Sequence, residues 1–339
     1  MSLIAGSYER FIWGFKLKSH KHPPSFSLIP LFSTPSHLSP IKCTAVSGSV
    51  AVTGGSDDTI KIYDLSTSSE IGSLHYASSI TSLSFFTPPS SSVALPRNLI
   101  AAADDGAVII YDADPFVHLK TVKMVHKKGV NDLSVHPSGR LALSVGRDEC
   151  FAMVNLVRGR RSFCCRLGKE ASIVSFSKSG EKFFMVLDDK INIHESEDAR
   201  ILSELDNKKR ILCAVPGADG ILFTGGEDRN ITAWDTNSGK VAYSIEDAHS
   251  ARVKGIVVFS HSSGASSEDP FVIASASSDG VIRVWDVRMT NKEKPNPLAE
   301  AKTKSRLTCL AGSSFRSVKQ PQVGNSSAGD NHVVLDEEP

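Results

Sequence analysis

The amino-acid sequence predicts an all-β fold, a ring-shaped propeller of seven blades. Three observations lead to this prediction. A strand–turn–strand unit recurs along the chain, its copies are about 40–50 residues apart, and a related hairpin at the start of the chain can be completed by a strand near its end. A repeat of this period is typical of blades with four strands each. The 339 residues should therefore form one ring and not two domains.

The recurring unit has the same layout in every copy. A short apolar stretch leads through small residues into an acidic or glycine-containing turn, and alternating residues follow, as expected for two strands joined by a tight turn. The clear copies span residues 52–64, 100–112, 222–235 and 273–286, and weaker copies span 143–155 and 184–195. The position near the end of each second strand is occupied by Tyr63, Tyr111, Val154, His194, Trp234 and Trp285. This is the layout of a WD-repeat blade.

Six units leave the ring one blade short, and the first residues of the chain supply the missing hairpin. Residues 3–17 alternate as the other units do, and we align Gly6 with Gly55. Residues 306–311 can provide the innermost strand of this blade. A closing blade shared between the two ends of the chain leaves no exposed sheet edge. The predicted organisation is a propeller at 1–312, loop insertions at 87–97 and 260–270, and a disordered polar tail at 313–339.

Composition restricts the classes of function. The chain has 38 lysine and arginine residues against 37 aspartate and glutamate residues, which argues against general coating of nucleic acid but leaves room for a local basic patch. No apolar run approaches the roughly 20 residues of a membrane helix, so we expect no membrane partner. The 6 cysteines are scattered without a CxxC pair, which predicts reduced thiols and neither a metal site nor a cofactor.

The strongest local constellation lies in the last complete unit. It consists of His249, Ser275, Asp279 and Trp285. A partial copy consists of His126, Ser144 and Asp148, with Val154 in the place of the tryptophan. The residue types alone also suit a hydrolase triad. We favour a structural network that fastens each turn to the preceding loop, because a catalytic triad occurs once in a protein and this set repeats. The sequence therefore predicts no enzyme.

Cationic residues cluster in loops that should share one face of the ring. The set consists of Lys127, Lys128, Arg147, Lys208, Lys209, Arg210, Arg229 and Arg252. These residues come from neighbouring blades and could form one basic arc that binds a partner. The alternative is an ordinary solvated rim, diluted by Glu149, Glu227 and Asp228. Arg158, Arg160 and Arg161 should lie in a connection on the opposite face.

Several runs resemble the PAK-interacting WD-repeat family. The runs are AGSYERFIWGF at 5–15, HPSGRLALSVGRD at 136–148, SASSDGVIRVWD at 275–286 and RLTCL at 306–310. The resemblance covers about residues 1–312, and the third run alone would fit many WD-repeat proteins. It implies a nucleolar protein that takes part in maturing the large ribosomal subunit and, in animal members, inhibits a Rho-GTPase-activated kinase. Members commonly carry a lysine-rich tail, whereas residues 313–339 contain only Arg316 and Lys319 as cations.

The sequence and the resemblance together predict a non-catalytic scaffold for large ribosomal subunit biogenesis and pre-rRNA processing. Its expected partners are preribosomal assembly factors and ribosomal proteins, with ribosomal RNA as a further candidate, in the nucleus and nucleolus. The alternative is a signalling adaptor that binds and restrains a p21-activated protein kinase, and the residues alone do not separate the two.

Overall fold

A computed structural model describes residues 1–21, 24–88, 96–259, 271–287 and 295–313. The described residues form 28 β-strands, and these strands make seven antiparallel sheets of four strands each. No α-helix occurs in these ranges. The prediction of an all-β, seven-bladed propeller is thus confirmed.

Each sheet is one blade, numbered here from the start of the chain. Blade 1 contains β1 (Ser2–Ser7), β2 (Phe11–Lys21), β3 (Pro24–Pro35) and β28 (Leu307–Ser313). Blade 2 contains β4 (Ile41–Ser47), β5 (Val50–Gly55), β6 (Thr59–Asp64) and β7 (Ser69–His75). Blade 3 contains β8 (Ile80–Phe86), β9 (Asn98–Ala103), β10 (Val108–Ala113) and β11 (Phe116–Val122). Blade 4 contains β12 (Val130–Val135), β13 (Leu141–Gly146), β14 (Cys150–Asn155) and β15 (Arg160–Arg166).

In blade 1, β28 is the innermost strand and β3 the outermost. The remaining three blades, like blades 2 to 4, run in chain order from the inside of the ring outward. Blade 5 contains β16 (Ile173–Phe176), β17 (Lys182–Leu187), β18 (Lys190–Glu195) and β19 (Ile201–Asp206). Blade 6 contains β20 (Ile211–Pro216), β21 (Ile221–Gly226), β22 (Ile231–Asp235) and β23 (Lys240–Ile245). Blade 7 contains β24 (Val253–Val258), β25 (Val272–Ser277), β26 (Val281–Asp286) and β27 (Ala299–Lys302).

The innermost strand of every blade contacts the innermost strand of the next, and the contacts return from β24 through β28 to β4. The ring encloses a central channel of about 450 Å³. Two faces follow from the strand directions. The upper face carries the loops between successive blades and the turns between second and third strands, whereas the lower face carries the other two turns of each blade.

The closing blade joins the two ends of the chain. Strand β1 pairs with β28 on one side and with β2 on the other, so that Ala5 lies opposite both Leu310 and Trp13. This register confirms the predicted shared blade. Strand β28 extends to Ser313, one residue into the segment assigned to the tail, and residues 314–339 lie outside the described ranges.

The alignment of Gly6 with Gly55 is wrong by one residue. Gly6 lies opposite Ile12, as Gly54 lies opposite Ile60, so Gly6 corresponds to Gly54. The reason is steric. A Cβ at Gly6 would lie 2.5 Å from the side chain of Ile41 on the next blade, and one at Gly54 would lie 2.6 Å from Ile80. Only glycine lets the following innermost strand approach this closely.

Removal of residues 1–17 tests the closing blade. The deletion would remove β1 and most of β2, leaving β28 and β3 without their partners in this sheet. Exposed strand edges pair with other molecules, so we expect the truncated protein to aggregate and to lose its cooperative melting transition. Size-exclusion chromatography with light scattering is the measurement. A truncated protein that stays monomeric and melts like the full chain would contradict the shared blade.

Asp132 on β12 fastens three neighbouring blades at the channel wall. Its carboxylate accepts a hydrogen bond of 2.8 Å from the Ser82 hydroxyl on β8 and one of 3.0 Å from the backbone N–H of Val174 on β16. Burial raises the pKa of Asp132 to about 6, although the N–H of Val174 and the hydroxyl of Ser82 favour the charged form. The free energy of unfolding should therefore depend on pH through this one residue.

The substitution Asp132→Asn tests this dependence. Because the folded-state pKa lies above the ordinary value of 3.8, the folded protein keeps a proton that the unfolded chain releases, and wild-type stability falls as pH rises through this interval. An asparagine can accept from Val174 and donate to Ser82 but does not titrate. Relative to wild type, the variant should gain about 2 kcal/mol between roughly pH 4 and pH 7. Urea unfolding at both pH values measures this gain. If the free energies of unfolding of the variant and the wild type changed in parallel with pH, Asp132 would not be the group responsible.

Candidate functional site

The network predicted in blade 7 forms one chain of hydrogen bonds. His249 lies in the loop before β24, and its Nδ1 lies 3.3 Å from the Asp279 carboxylate. Its Nε2 lies 2.8 Å from the Ser275 hydroxyl. The indole Nε1–H of Trp285 donates to the same hydroxyl oxygen over 2.9 Å. With Nδ1 donating to Asp279, Nε2 accepts the hydroxyl proton of Ser275. The imidazole, hydroxyl and indole groups of this network therefore all have hydrogen-bond partners.

This order of groups matches a hydrolytic triad, but the nucleophile position is sealed. Ser275 has 0% of its surface exposed, and His249 and Trp285 are also buried. A substrate therefore has no path to the hydroxyl oxygen, which the imidazole and the indole already occupy. The arrangement works as an internal fastener between the loop before β24 and the turn after β25.

The carboxylate of Asp279 completes the fastener. It accepts backbone N–H bonds from Ser250 at 3.0 Å and from Val281 at 2.9 Å, so it ties its own turn to the preceding loop. Burial alone would raise the pKa of Asp279, but the hydrogen bonds from His249, Val281 and Ser250 hold it well below its ordinary range. The carboxylate is therefore charged at neutral pH and suits a structural role.

Blade 4 carries the partial copy that the sequence indicated. The two nitrogens of His126 lie 2.9 Å from Asp148 and 2.9 Å from Ser144. Val154 stands where blade 7 has its tryptophan, so the Ser144 hydroxyl receives no indole N–H bond here. Burial lowers the pKa of His126, and the opposing hydrogen bond and charge of Asp148 do not reverse this shift. A neutral imidazole is the form that such a buried network requires.

Blade 2 holds a third copy, which sequence reasoning missed. His37 lies 2.9 Å from Asp57 and 2.8 Å from the Thr53 hydroxyl, and burial lowers its pKa as well. A hydroxyl residue four positions before an aspartate was the available signal. It was obscured because threonine replaces serine and because the histidine precedes the hydroxyl residue by 16 positions here, against 18 in blade 4 and 26 in blade 7.

Substitution of Trp285 measures the packing of this network. Trp285→Ala removes a large ring from the core between blades 6 and 7, so we expect a loss of about 3–5 kcal/mol in the free energy of unfolding. Trp285→Phe keeps most of the packing and deletes the bond to Ser275, which should cost about 1–2 kcal/mol. Denaturant unfolding compares both variants with wild type. An alanine variant as stable as wild type would show that the ring contributes nothing to the blade interface.

All eight cations of the predicted basic arc are exposed and lie in loops or turns of the upper face. The loops between blades hold Lys127, Lys128, Lys208, Lys209, Arg210 and Arg252, and the turns between second and third strands hold Arg147 and Arg229. They come from blades 4 and 6 and from the loops that lead into blades 4, 6 and 7, whereas blade 5 and the loop that leads into it contribute none of them. We keep the name basic arc for these eight residues.

Three of the arginines in the basic arc have acidic partners. Arg147 lies 2.8 Å from Asp104, Arg210 lies 3.5 Å from Asp188, and Arg229 lies 3.0 Å from Asp247. Across the described ranges, the other five cations of the arc form no ion pair. The charge available to a partner therefore comes from the four lysines and Arg252. The three paired arginines fit the alternative of an ordinary solvated rim in which acidic residues balance the positive charge.

Two further cations, Lys42 and Lys254, extend the charge to the mouth of the central channel. They lie on the innermost strands β4 and β24 and line the channel. Burial lowers the pKa of Lys254, and the neighbouring charges of Arg252 and Arg210 act in the same direction. Sequence reasoning missed both lysines because it considered loops alone, although each is the second residue of an innermost strand.

The prediction for the opposite face is wrong in part. Arg158 does lie in the connection between β14 and β15 on the lower face, but Arg160 and Arg161 are the first two residues of β15. The guanidinium of Arg161 reaches upward and donates to the carbonyls of Met124 at 3.1 Å and Val125 at 2.9 Å. An arginine side chain is long enough to span from one face toward the other, so Arg161 supports the loop that carries Lys127.

Other kinds of site receive no support from the part of the chain that the structure describes. The described residues contain no group of three or more His, Cys, Asp or Glu side chains arranged to hold a metal ion. All six cysteines are free thiols. No described helix is long and apolar enough to cross a bilayer.

The fold and the site define a WD-repeat β-propeller with structural polar networks and exposed interaction faces. The sequence profile of the family described as "WD domain, G-beta repeat" matches residues 29–64, 118–151 and 240–286. Among known proteins, the chain is 36% identical to p21-activated protein kinase-interacting protein 1 of Homo sapiens, over 91% of this chain and 76% of the relative. It is 31% identical to p21-activated protein kinase-interacting protein 1-like of Danio rerio, over 96% of this chain and 85% of the relative. The chain is also 26% identical to Protein MAK11 of Saccharomyces cerevisiae, over 98% of this chain and 89% of the relative.

The chain belongs to the p21-activated protein kinase-interacting protein 1 family of WD-repeat proteins. This membership confirms the resemblance carried by the four sequence runs. The family names point to proteins that bind other proteins, in agreement with a propeller whose triad-like groups are buried.

Proposed function

We propose that this chain is a docking platform for large ribosomal subunit assembly and pre-rRNA processing, acting in the nucleolus. The observation that carries the proposal is the set of exposed, unpaired cations on the upper-face loops that lead into blades 4, 6 and 7. The ribosomal setting comes from the family resemblance at residues 5–15, 136–148 and 306–310. The sealed networks support a role in binding and not in catalysis.

The basic arc suits phosphate groups of ribosomal RNA or an acidic assembly factor. Phosphate contacts need cations but no base-reading geometry, and flexible lysines on loops meet this requirement. Lys42 and Lys254 continue the positive surface from the loops into the channel mouth. The partners proposed for this face are preribosomal assembly factors and ribosomal proteins, together with the RNA they hold.

Charge reversal of three unpaired cations tests the upper face. We choose Lys128→Glu, Lys209→Glu and Arg252→Glu in one variant, because these residues are exposed and come from loops of three different blades. Recovery of large-subunit precursor RNA with the tagged protein should fall about tenfold or more, since several phosphate contacts would be lost together. The melting temperature should stay nearly unchanged because exposed charges contribute little to stability.

A matched control changes the same amount of charge elsewhere. Lys16→Glu, Lys18→Glu and Lys240→Glu alter three exposed cations on strands of blades 1 and 6, away from the upper loops. This control should recover the precursors as wild type does. Equal losses from both variants would mean that total charge drives binding, and no loss from the first variant would remove the basic arc from the mechanism.

A second candidate function is a kinase adaptor, favoured by the printed names of the vertebrate relatives. It predicts direct binding of the purified full chain to the regulatory segment of a p21-activated protein kinase. Calorimetry measures this binding. Kinase binding without recovery of large-subunit precursors from cells would favour the adaptor, and the reverse result would favour the ribosomal platform.

A further inference from the structure

A groove of about 740 Å³ lies between blades 3 and 4 on the lower face, away from the basic arc. Four cationic side chains border it. Arg97 and Lys120 come from blade 3, and Arg140 and Arg158 come from blade 4. We call this site the blade 3–4 groove and define it by these four cations and the apolar floor between them.

The four cations of the groove are free to meet a ligand. All four side chains are exposed, and within the described residues none of these four side chains takes part in an ion pair or a hydrogen bond. In the basic arc, by contrast, three of the arginines each form an ion pair with an aspartate. The carboxylate of Asp112, which also lines the groove, is engaged at 3.2 Å by the backbone N–H of Asp114. The groove therefore has an excess of positive charge.

Apolar side chains accompany these charges. Leu119 is 52% exposed and Val157 is 76% exposed, and both line the groove. The inner wall includes Ile110 and Leu156, which pack in the same cluster as Val154.

Two turns of blade 4 make the groove a preformed feature. Gly139 and Gly159 have positive φ angles of 68° and 58°, which glycine adopts without strain. A Cβ on Gly139 would meet the ring of Phe86 at 2.3 Å, and one on Gly159 would meet the side chain of Lys120 at 2.9 Å. These close approaches place the ring of Phe86 and the methylene groups of Lys120, both from blade 3, against the turns of blade 4.

We propose that the blade 3–4 groove binds a short extended segment of a partner protein that combines acidic and apolar side chains. The acidic groups would meet the four cations, and the apolar groups would cover Leu119 and Val157. An RNA backbone fits less well, because phosphates would leave this apolar surface uncovered. Base stacking needs an open aromatic face, whereas the Phe86 ring packs against Gly139. This second docking site goes beyond the proposed function of the upper face.

Fluorescence anisotropy with a labelled peptide tests the proposal on the full chain. The probe has the sequence Leu-Asp-Glu-Leu-Glu-Asp-Val, and its two comparison peptides replace all acidic residues by lysine or all apolar residues by serine. We expect saturable binding of the probe and at least tenfold weaker binding of both comparison peptides. An oligouridylate of similar length that binds as tightly and displaces the probe would overturn the proposal in favour of RNA.

Variants then locate the binding. Arg140→Glu with Arg158→Glu should weaken the probe at least tenfold, and Leu119→Ser with Val157→Ser should weaken it several-fold, while both variants keep the wild-type melting temperature. Lys16→Glu with Lys18→Glu is the matched control and should bind as wild type does. The variant Lys128→Glu, Lys209→Glu, Arg252→Glu should also bind normally, which separates this site from the basic arc. Unchanged affinity in both groove variants would overturn the proposal.

One further variant examines a competing occupant. Residues 333–338 of this chain read Val-Val-Leu-Asp-Glu-Glu, which has the same chemistry as the probe. If Asp336→Lys, Glu337→Lys and Glu338→Lys together strengthen probe binding at least tenfold, the groove serves the chain's own segment and the partner proposal fails. Unchanged affinity in this variant supports a segment supplied by another protein.

Discussion

Pairing between β1 and β28 is the constraint on which the whole ring depends. Each innermost strand contacts the next one, and the circle is complete only because the last strand enters the first blade. Every blade then packs between two neighbouring blades. The two faces can carry charged loops because the closed ring already supplies the stability of the fold.

Close approach between blades explains the small residues at the ends of the second strands. Glycine at positions 6, 54 and 225 lets the following innermost strand pack directly on the backbone, since a Cβ would lie within 3 Å of Ile41, Ile80 and Val253 respectively. The histidine networks of blades 2, 4 and 7 then fix the neighbouring turns. In blade 2, which has both features, packing and hydrogen bonding act at the same level, where the upper loops begin.

The sequence predicted the fold well because the repeat period, the turn chemistry and the terminal hairpin all depend on local patterns. It predicted the His249 network for the same reason. His37 escaped prediction because threonine replaces serine in its network and because the spacing between histidine and hydroxyl differs from blade to blade. Lys254 escaped because it lies on an innermost strand and only loops were considered. The side-chain direction of Arg161 was not predicted because it is set by tertiary contacts, here the carbonyls of Met124 and Val125. Ion pairs such as Arg147 with Asp104 likewise join different blades and leave no local signature.

The two proposed docking surfaces differ in the physical basis of binding. On the upper face, the cations lie on exposed loops, so their attraction to a polyanion should weaken steeply as salt is added. In the blade 3–4 groove, cations surround exposed Leu119 and Val157, and burial of these side chains adds a contribution that salt does not screen. A protein with both surfaces can hold a phosphate-rich partner loosely and a peptide segment more persistently, and the rigid ring sets the distance between them.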